Sequence, residues 1–163
     1  MKEYGQDVWN FAFSIIKNRN MADDITQDVF LQVYRNVISF RAESSIKTWL
    51  LKITRNISYN YRNSAFFRKV LLIDIVPSKN NYQSAEQSFF DKETTNDVWK
   101  QVFKLSAKFR EVIVLHAKYQ LSIQEIAQIL NVPEGTVRSR LFGARKKMNF
   151  LLREGYIYEP FNS

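Results

Sequence analysis

The sequence contains no cysteine. That excludes disulfides and thiolate metal sites within the chain, and it permits a reducing compartment. Histidine is almost as scarce. His116 stands alone, without Cys or a second His, and reads as an ordinary packing or surface residue. The four glycines are too scattered to form a phosphate-cradling loop. No cofactor and no metal are therefore expected. No apolar run approaches a membrane span and no signal peptide opens the chain. The default is a cytoplasmic protein without direct membrane insertion. Internal repeats and low-complexity tracts are also missing, which excludes solenoids and arrays.

What is present is a folding composition. With 45% apolar and 15% aromatic residues, 163 residues hold one ordinary domain or two small ones. The net charge of +8 favours a polyanionic partner, either nucleic acid or an anionic membrane surface. Charge is also unevenly placed. No acid occurs from Ser44 to Ile73, where Lys47, Lys52, Arg55, Arg62, Arg68 and Lys69 fall, and none occurs from Gly135 to Arg153. Two separated basic surfaces fit one extended polyanion touched twice.

The most informative stretch runs from Leu121 to Met148 and has the pattern of a helix-turn-helix. Ser122 and Glu125 have capping-box spacing, and Ile123, Ile126, Ala127 and Leu130 make one apolar stripe. Asn131 tolerates the left-handed conformation that ends a helix, and Pro133 suits the start of the next. On that second helix Val137, Leu141, Ala144 and Met148 form the buried edge. Gly135, Arg138, Ser139, Phe142, Gly143 and Lys146 form the outer one, flanked by Thr136, Arg140, Arg145 and Lys147. A second helix of this kind enters the major groove with its N-terminal residues against base edges. An ordinary hairpin with a solvated basic face would share the spacing, but not the cap, turn and acid-free run together.

Upstream, Tyr4, Val8, Phe11, Ala12, Ile15 and Ile16 predict a helix from Glu3 to about Lys17. A second is predicted from Met21 to about Ile38, capped by Asn20. Asp23, Asp24 and Asp28 would lie in its early turns, where the helix dipole favours acids. Its stripe would be Ile25, Val29, Val33 and Val37, with Phe30 and Tyr34 beside it. Leu31, among polar neighbours, is either an exposed contact or a widening of the core stripe. A third helix, from about Ser44 to Arg62, would bury Ile46, Trp49, Leu50, Ile53 and Ile57. Its other face would show Thr48, Lys52, Arg55, Tyr59 and Arg62. Cations, a ring and amides on one face suit phosphates and unstacked bases, although a solvated charged face has the same spacing.

Phe66 to about Glu93 breaks the helical pattern and marks the domain boundary. Its apolar start, Val70 to Val76, fits either docking on a partner or brief strand pairing. Helices resume from about Thr94 to Leu105. Ser106 is placed to cap a further one, whose Phe109, Val112, Ile113, Leu115 and Ala117 would roof the helix-turn-helix. The aromatic tail after Gly155 carries no interpretable motif.

Taken together, the two halves resemble the bacterial RNA polymerase sigma factors of the extracytoplasmic-function (ECF) group. ADDITQDVFLQVY (Ala22 to Tyr34) and FRAESSIKTWLLKITRN (Phe40 to Asn56) are similar to the core-binding and promoter-melting segments of the family's region two. FREVIVL (Phe109 to Leu115), LSIQEIA (Leu121 to Ala127) and GTVRSRL (Gly135 to Leu141) are similar to region four. The resemblance implies an all-α chain of two small helical domains. Region two would span residues 1–67, a linker 68–93, region four 94–153 and a tail 154–163.

It further implies that Gln27, Asp28, Leu31 and Tyr34 bind the polymerase core at the clamp helices of its largest subunit. Phe40, Arg41, Ser44, Ser45, Lys47, Thr48, Lys52, Arg55, Asn56 and Tyr59 would melt and read the minus-ten element. Glu134, Thr136, Arg138, Ser139, Arg140 and Lys146 would read the minus-thirty-five element as duplex. The partners implied are polymerase core, promoter DNA and an anti-sigma factor, usually membrane-linked, while the chain itself would not be an enzyme. The sequence departs from the family pattern in a first helix that begins almost at Met1, in Ser106 where proline is usual, and in Gly143 where arginine is common. Gly143 would forgo a phosphate contact and about 1 kcal/mol of helix propensity. Two rivals remain in principle. A self-sufficient DNA-binding regulator would bind duplex tightly without polymerase, and a nuclease would need clustered carboxylates, for which Asp23, Asp24 and Asp28 are the one tight group.

Overall fold

The structure, a computed structural model, describes residues 2–64, 69 and 96–157. Among them every regular element is helical: α1 (Lys2–Ile16), α2 (Arg19–Asn36), a 3-10 turn (Val37–Ser39), α3 (Ile46–Asn63), α4 (Asn96–Lys104), α5 (Ala107–Ile113), a π turn (Val114–Lys118), α6 (Ile123–Leu130) and α7 (Glu134–Ile157). The chain divides into two compact units, one built on α1 to α3 and the other on α4, α5, α7 and most of α6. The predicted linker lies outside the described residues apart from Lys69, as does the Val70 to Val76 run. Of the expected tail, α7 takes in the residues up to Ile157.

In the first unit, α1 is amphipathic at its start and buried on all sides at its end, where every residue from Phe11 to Ile16 is buried. A helix that is apolar all round needs cover on more than one side, and α2 and α3 both pack against it. Lys17 takes a left-handed conformation (φ 54°) and turns the chain. Asn18, not the expected Asn20, then caps α2 by accepting from the Met21 N–H at 3.0 Å. The helix therefore starts earlier than predicted, and its first turn holds no acid.

Asp23 and Asp28 instead serve tertiary bonds. Trp9 Nε1 donates to Asp23 Oδ1 at 2.7 Å, and Tyr61 Oη donates to Asp28 Oδ2 at 2.6 Å. Two of the three carboxylates a nuclease would have gathered are thus turned toward different partners. Ile25 and Val29 are buried as predicted, but the stripe leaves the core beyond them, and Val37 is exposed.

The burial of α3 is rotated from the expected face. Leu50 and Ile53 are buried as predicted, but Thr48, Leu51, Thr54 and Ser58 are buried with them, while Ile46 is exposed. Hydroxyl residues can occupy a core face when they satisfy themselves locally. Here Thr54 Oγ1 donates to the Leu50 carbonyl at 2.8 Å and Ser58 Oγ to that of Thr54 at 2.7 Å.

The second unit follows the sequence more closely. Ser122 and Glu125 form the capping box, with Ser122 N–H to Glu125 Oε2 at 2.8 Å and Glu125 N–H to Ser122 Oγ at 3.1 Å. Asn131 is left-handed (φ 53°), and α7 opens after Pro133 with Val137, Leu141, Ala144 and Met148 buried. Ser106 occupies the N-cap position of α5 without a side-chain cap bond. Instead the buried Arg110 reaches back, donating from Nη1 to the Leu105 carbonyl at 2.9 Å. The helix after α5 widens into a π turn closed by Tyr119 N–H to the Val114 carbonyl at 3.3 Å, which leaves Tyr119 buried and Ala117 exposed. Ala117 is therefore not part of the predicted roof.

Gly143 also departs from its expected place on the outer edge. A Cβ there would lie 2.7 Å from Phe109 Cζ, so the glycine is the seat of the Phe109 ring where α5 crosses α7. In an open helix Gly→Ala stabilises by about 1 kcal/mol. Gly143→Ala is expected to show no such gain in urea unfolding, and to regain it when introduced together with Phe109→Ala.

Candidate nucleic-acid interface

Three surfaces carry the residues singled out in the sequence. The first is the outward side of α2. Leu31 and Tyr34 are 54% and 75% exposed, so Leu31 lies at the surface and does not widen the core stripe. With Lys2, Thr26, Gln27 and Phe30 they line an open, largely apolar groove of about 640 Å³. Asp28, next to Gln27 in sequence, does not line the groove; its Oδ2 accepts from Tyr61 Oη. The apolar surface runs on past the end of α2 into Val37 and Ile38, the latter 97% exposed. The expected stripe had assigned Val37 to the core, so this continuation was missed. Exposed apolar patches of this kind mark sites of protein contact.

The second surface is the loop before α3 together with that helix's outer face. Phe40 leans on Trp49 with ring centroids 5.0 Å apart, anchoring the loop at its start. Arg41 is exposed, and Ala42 adopts a left-handed conformation (φ 54°) that a non-glycine residue holds only under local strain. Ser44 is partly buried. Ser45 is the N-cap of α3: its Oγ accepts from the Thr48 N–H at 3.1 Å and donates to Thr48 Oγ1 at 2.9 Å. Thr48 is only 2% exposed, so its hydroxyl completes the cap and does not face solvent. It is withdrawn from the set of DNA-facing residues.

Lys52 and Asn56 are exposed along one stripe with Arg55 and Tyr59. The Arg55 guanidinium lies 4.4 Å from the Tyr59 ring centre and that of Arg62 lies 5.9 Å from it. Such stacking pre-orders the cations and leaves a flat surface for an unstacked base. Lys47 is tied to α1 by an ion pair with Asp7 at 3.5 Å.

The third surface is the start of α7. Glu134, Arg138, Ser139 and Lys146 are exposed, while Thr136 and Arg140 are partly buried on the flanks. Arg138 Nη2 meets Glu134 Oε2 at 3.0 Å, one helical turn apart, and Ser139 Oγ donates to the Thr136 carbonyl at 3.1 Å. Phe142, one turn beyond Arg138, is 72% exposed and adds an apolar group to the same stripe. Arginine pairs with guanine edges, a carboxylate accepts from cytosine N4, and an apolar group meets the thymine methyl. This helix face therefore has the chemistry to read duplex bases. Arg62 and Phe142 fall on these faces by helical spacing and stand outside the contact sets that the resemblance implies. Tyr61 was not singled out, because a partner 33 residues away leaves no local signal.

Among the described residues no three His, Cys, Asp or Glu side chains come together to hold a metal, and no helix is long and apolar enough to cross a membrane. His116 lies partly buried in the π turn.

Comparison with known proteins matches both units. Residues 1–65 fit the family described as Sigma-70 region 2, and residues 97–148 fit Sigma-70, region 4. The ECF RNA polymerase sigma-E factor of Haemophilus influenzae is 31% identical over 138 residues, covering 79% of this chain and 73% of that protein. The ECF sigma factor SigW of Bacillus subtilis is 26% identical over 168 residues, covering 93% and 86%. Among solved structures, the sigma factor RpoE of Bartonella quintana, crystallised with the anti-sigma factor NepR, superposes with a TM-score of 0.71. It shares 26% identity, with 93% of this chain and 95% of that one covered.

The differing engagement of the lysines on α3 leads to a measurable difference. Lys52→Ala should lower affinity for a single-stranded oligonucleotide and flatten the slope of log affinity against log salt by about 0.7, the value for one lost phosphate contact on a single strand. Lys47→Ala should change the slope by less than half as much, because Asp7 already neutralises that charge. Fluorescence anisotropy across a salt series checks both.

Proposed function

The chain belongs to the ECF group of RNA polymerase sigma factors, and from that premise we propose how its three surfaces divide the work of directing polymerase to promoters. The observation that carries the reading is the order of the two family matches, region 2 on α1 to α3 and region 4 on α4 to α7. A duplex-binding regulator with an unrelated sensor would carry only the second.

The α2 face of Gln27, Asp28, Leu31 and Tyr34 binds the polymerase core. A largely apolar groove lined by Gln27, Phe30, Leu31 and Tyr34, with Asp28 one turn from Leu31 on the same helix, suits a helical partner bringing apolar anchors and a complementary charge. The loop from Phe40 to Ser45 and the stripe of Lys52, Arg55, Asn56 and Tyr59 take the minus-ten element. Melting requires bases to leave the stack, and the cost of a few kcal/mol is offset where rings and cations receive them. Lys47 contributes at the rim. Glu134, Arg138, Ser139 and Lys146, flanked by Thr136 and Arg140, read the minus-thirty-five element through the major groove.

A sigma factor is a regulatory initiation factor. In this reading the chain supplies recognition and strand opening, bond formation takes place in the polymerase core, and the chain holds no catalytic site of its own. It acts in the cytoplasm, where polymerase is. Its activity is held in check by an anti-sigma factor, membrane-linked by family expectation. The related RpoE crystallised with NepR supports control of this kind.

Multi-round transcription with purified core and a promoter library tests the whole reading: defined-start transcripts should appear only when the protein is added. Arg138→Ala should weaken initiation from promoters with an intact minus-thirty-five element by about 5- to 150-fold, as losing a bidentate base contact does. Its affinity for core should stay unchanged. Leu31→Asp should do the reverse, lowering core affinity by about 30-fold or more as loss of an interface anchor does. Loss of core binding in Arg138→Ala would refute the division of roles.

A further inference from the structure

Within the first unit one hydrogen bond ties the two proposed working faces together. Tyr61 stands in the last turns of α3 and reaches α2, where its hydroxyl donates to Asp28 Oδ2 at 2.6 Å in a partly buried setting. Burial first, and then the bond and the negative charges of Asp28 and Asp24, push the Tyr61 phenol up to about 12. The phenol is therefore a committed donor at neutral pH.

The neighbouring residues give this bond its meaning. On α2, Asp28 follows Gln27 in sequence and precedes Leu31 by one turn, and both of those residues line the groove. On α3, Tyr59 carries Arg55 and Arg62 against its ring, two residues before Tyr61 and on a different side of the helix. A surface aspartate otherwise samples several rotamers. Holding one oxygen from a neighbouring helix fixes the direction of the other.

We propose that Tyr61 is a positioning residue for polymerase binding. Its hydroxyl holds the Asp28 carboxylate in a single orientation, with Oδ1 presented to a cationic or hydrogen-bond-donating group of the core. The same bond fixes the end of α3, and with it the Arg55, Tyr59 and Arg62 stack, against the helix that docks on polymerase. This inference rests on the reading of α2 as the core-binding helix. It adds a residue of α3 that makes no polymerase contact itself.

Tyr61→Phe keeps the ring and removes only the hydroxyl. Core affinity is measured for the unsubstituted protein, Tyr61→Phe, Asp28→Ala and the double variant, with thermal midpoints by circular dichroism and Leu31→Asp as a control. The expected result is a loss of about 5-fold for Tyr61→Phe, a larger loss for Asp28→Ala, and a double variant no weaker than Asp28→Ala alone. A residue that merely stabilised the unit would weaken binding equally in both backgrounds, in step with the thermal midpoint. If Leu31→Asp loses core binding while Tyr61→Phe binds as the unsubstituted protein does, or while its loss adds to that of Asp28→Ala, the positioning role is overturned. If Leu31→Asp still binds core, the assignment of α2 itself has failed.

Discussion

The all-round burial of the second half of α1 is the constraint from which the first unit follows. Phe11, Phe13, Ile15 and Ile16 are buried along with Ala12 and Ser14, leaving α1 no solvent face there. Burying four large side chains stabilises by about 6 to 12 kcal/mol as an upper bound. That is comparable to the whole net stability of a small domain, about 5 to 15 kcal/mol. Neither α2 nor α3 can rotate about its axis without exposing part of this cluster. Each is thereby committed to one inward face, and what remains outward is the groove on α2 and the cationic stripe on α3. The surfaces proposed for function are the faces the core did not need.

In the second unit the equivalent role falls to the contact between α5 and α7. Phe109 seats against Gly143, the one position in the middle of α7 where a side chain is missing, so the two helices approach closely there. The capping box and the left-handed Asn131 set where α6 begins and ends, which in turn sets where α7 starts. The residues proposed to read bases then need only be displayed. The Glu134 and Arg138 pair fits display because an exposed pair one turn apart is worth about 0.3 to 0.5 kcal/mol. That is enough to keep the guanidinium extended along the helix, and little enough that exchanging it for a guanine edge costs almost nothing.

The elements legible in the sequence were those whose signal is local. Ser122 with Glu125, Asn131, and the run of Val137, Leu141, Ala144 and Met148 each lie within a few turns, and each stands in the structure where spacing placed it. The errors came from non-local choices. Counting apolar residues on α3 gave the wrong rotation, because Thr48, Thr54 and Ser58 look polar yet satisfy themselves within their own helix. Asp23 and Asp28 looked like helix-start charge because Trp9 and Tyr61 are far away in sequence. Gly143 looked like a missing contact because nothing near it announces Phe109. Exposed apolar residues such as Val37 and Phe142 carry the same letters as core residues, and only the fold separates the two.

The physics of the two surfaces proposed to meet DNA also bears on why such a chain works with polymerase and not alone. Each offers only a handful of cations, and non-specific contacts of that size bind at about 10⁻⁴ to 10⁻⁶ M at physiological salt. Strand opening adds a cost of a few kcal/mol per unstacked base that one face of one helix does not recover by itself. Held on a common scaffold, weak sites gain effective concentration, so that the second contact forms as an intramolecular event. A chain that binds each element weakly and the scaffold well will therefore discriminate promoters only in the assembled complex. This makes the bond from Tyr61 to Asp28 consequential, because it joins the residue group proposed to meet the scaffold to the one proposed to receive the opened strand.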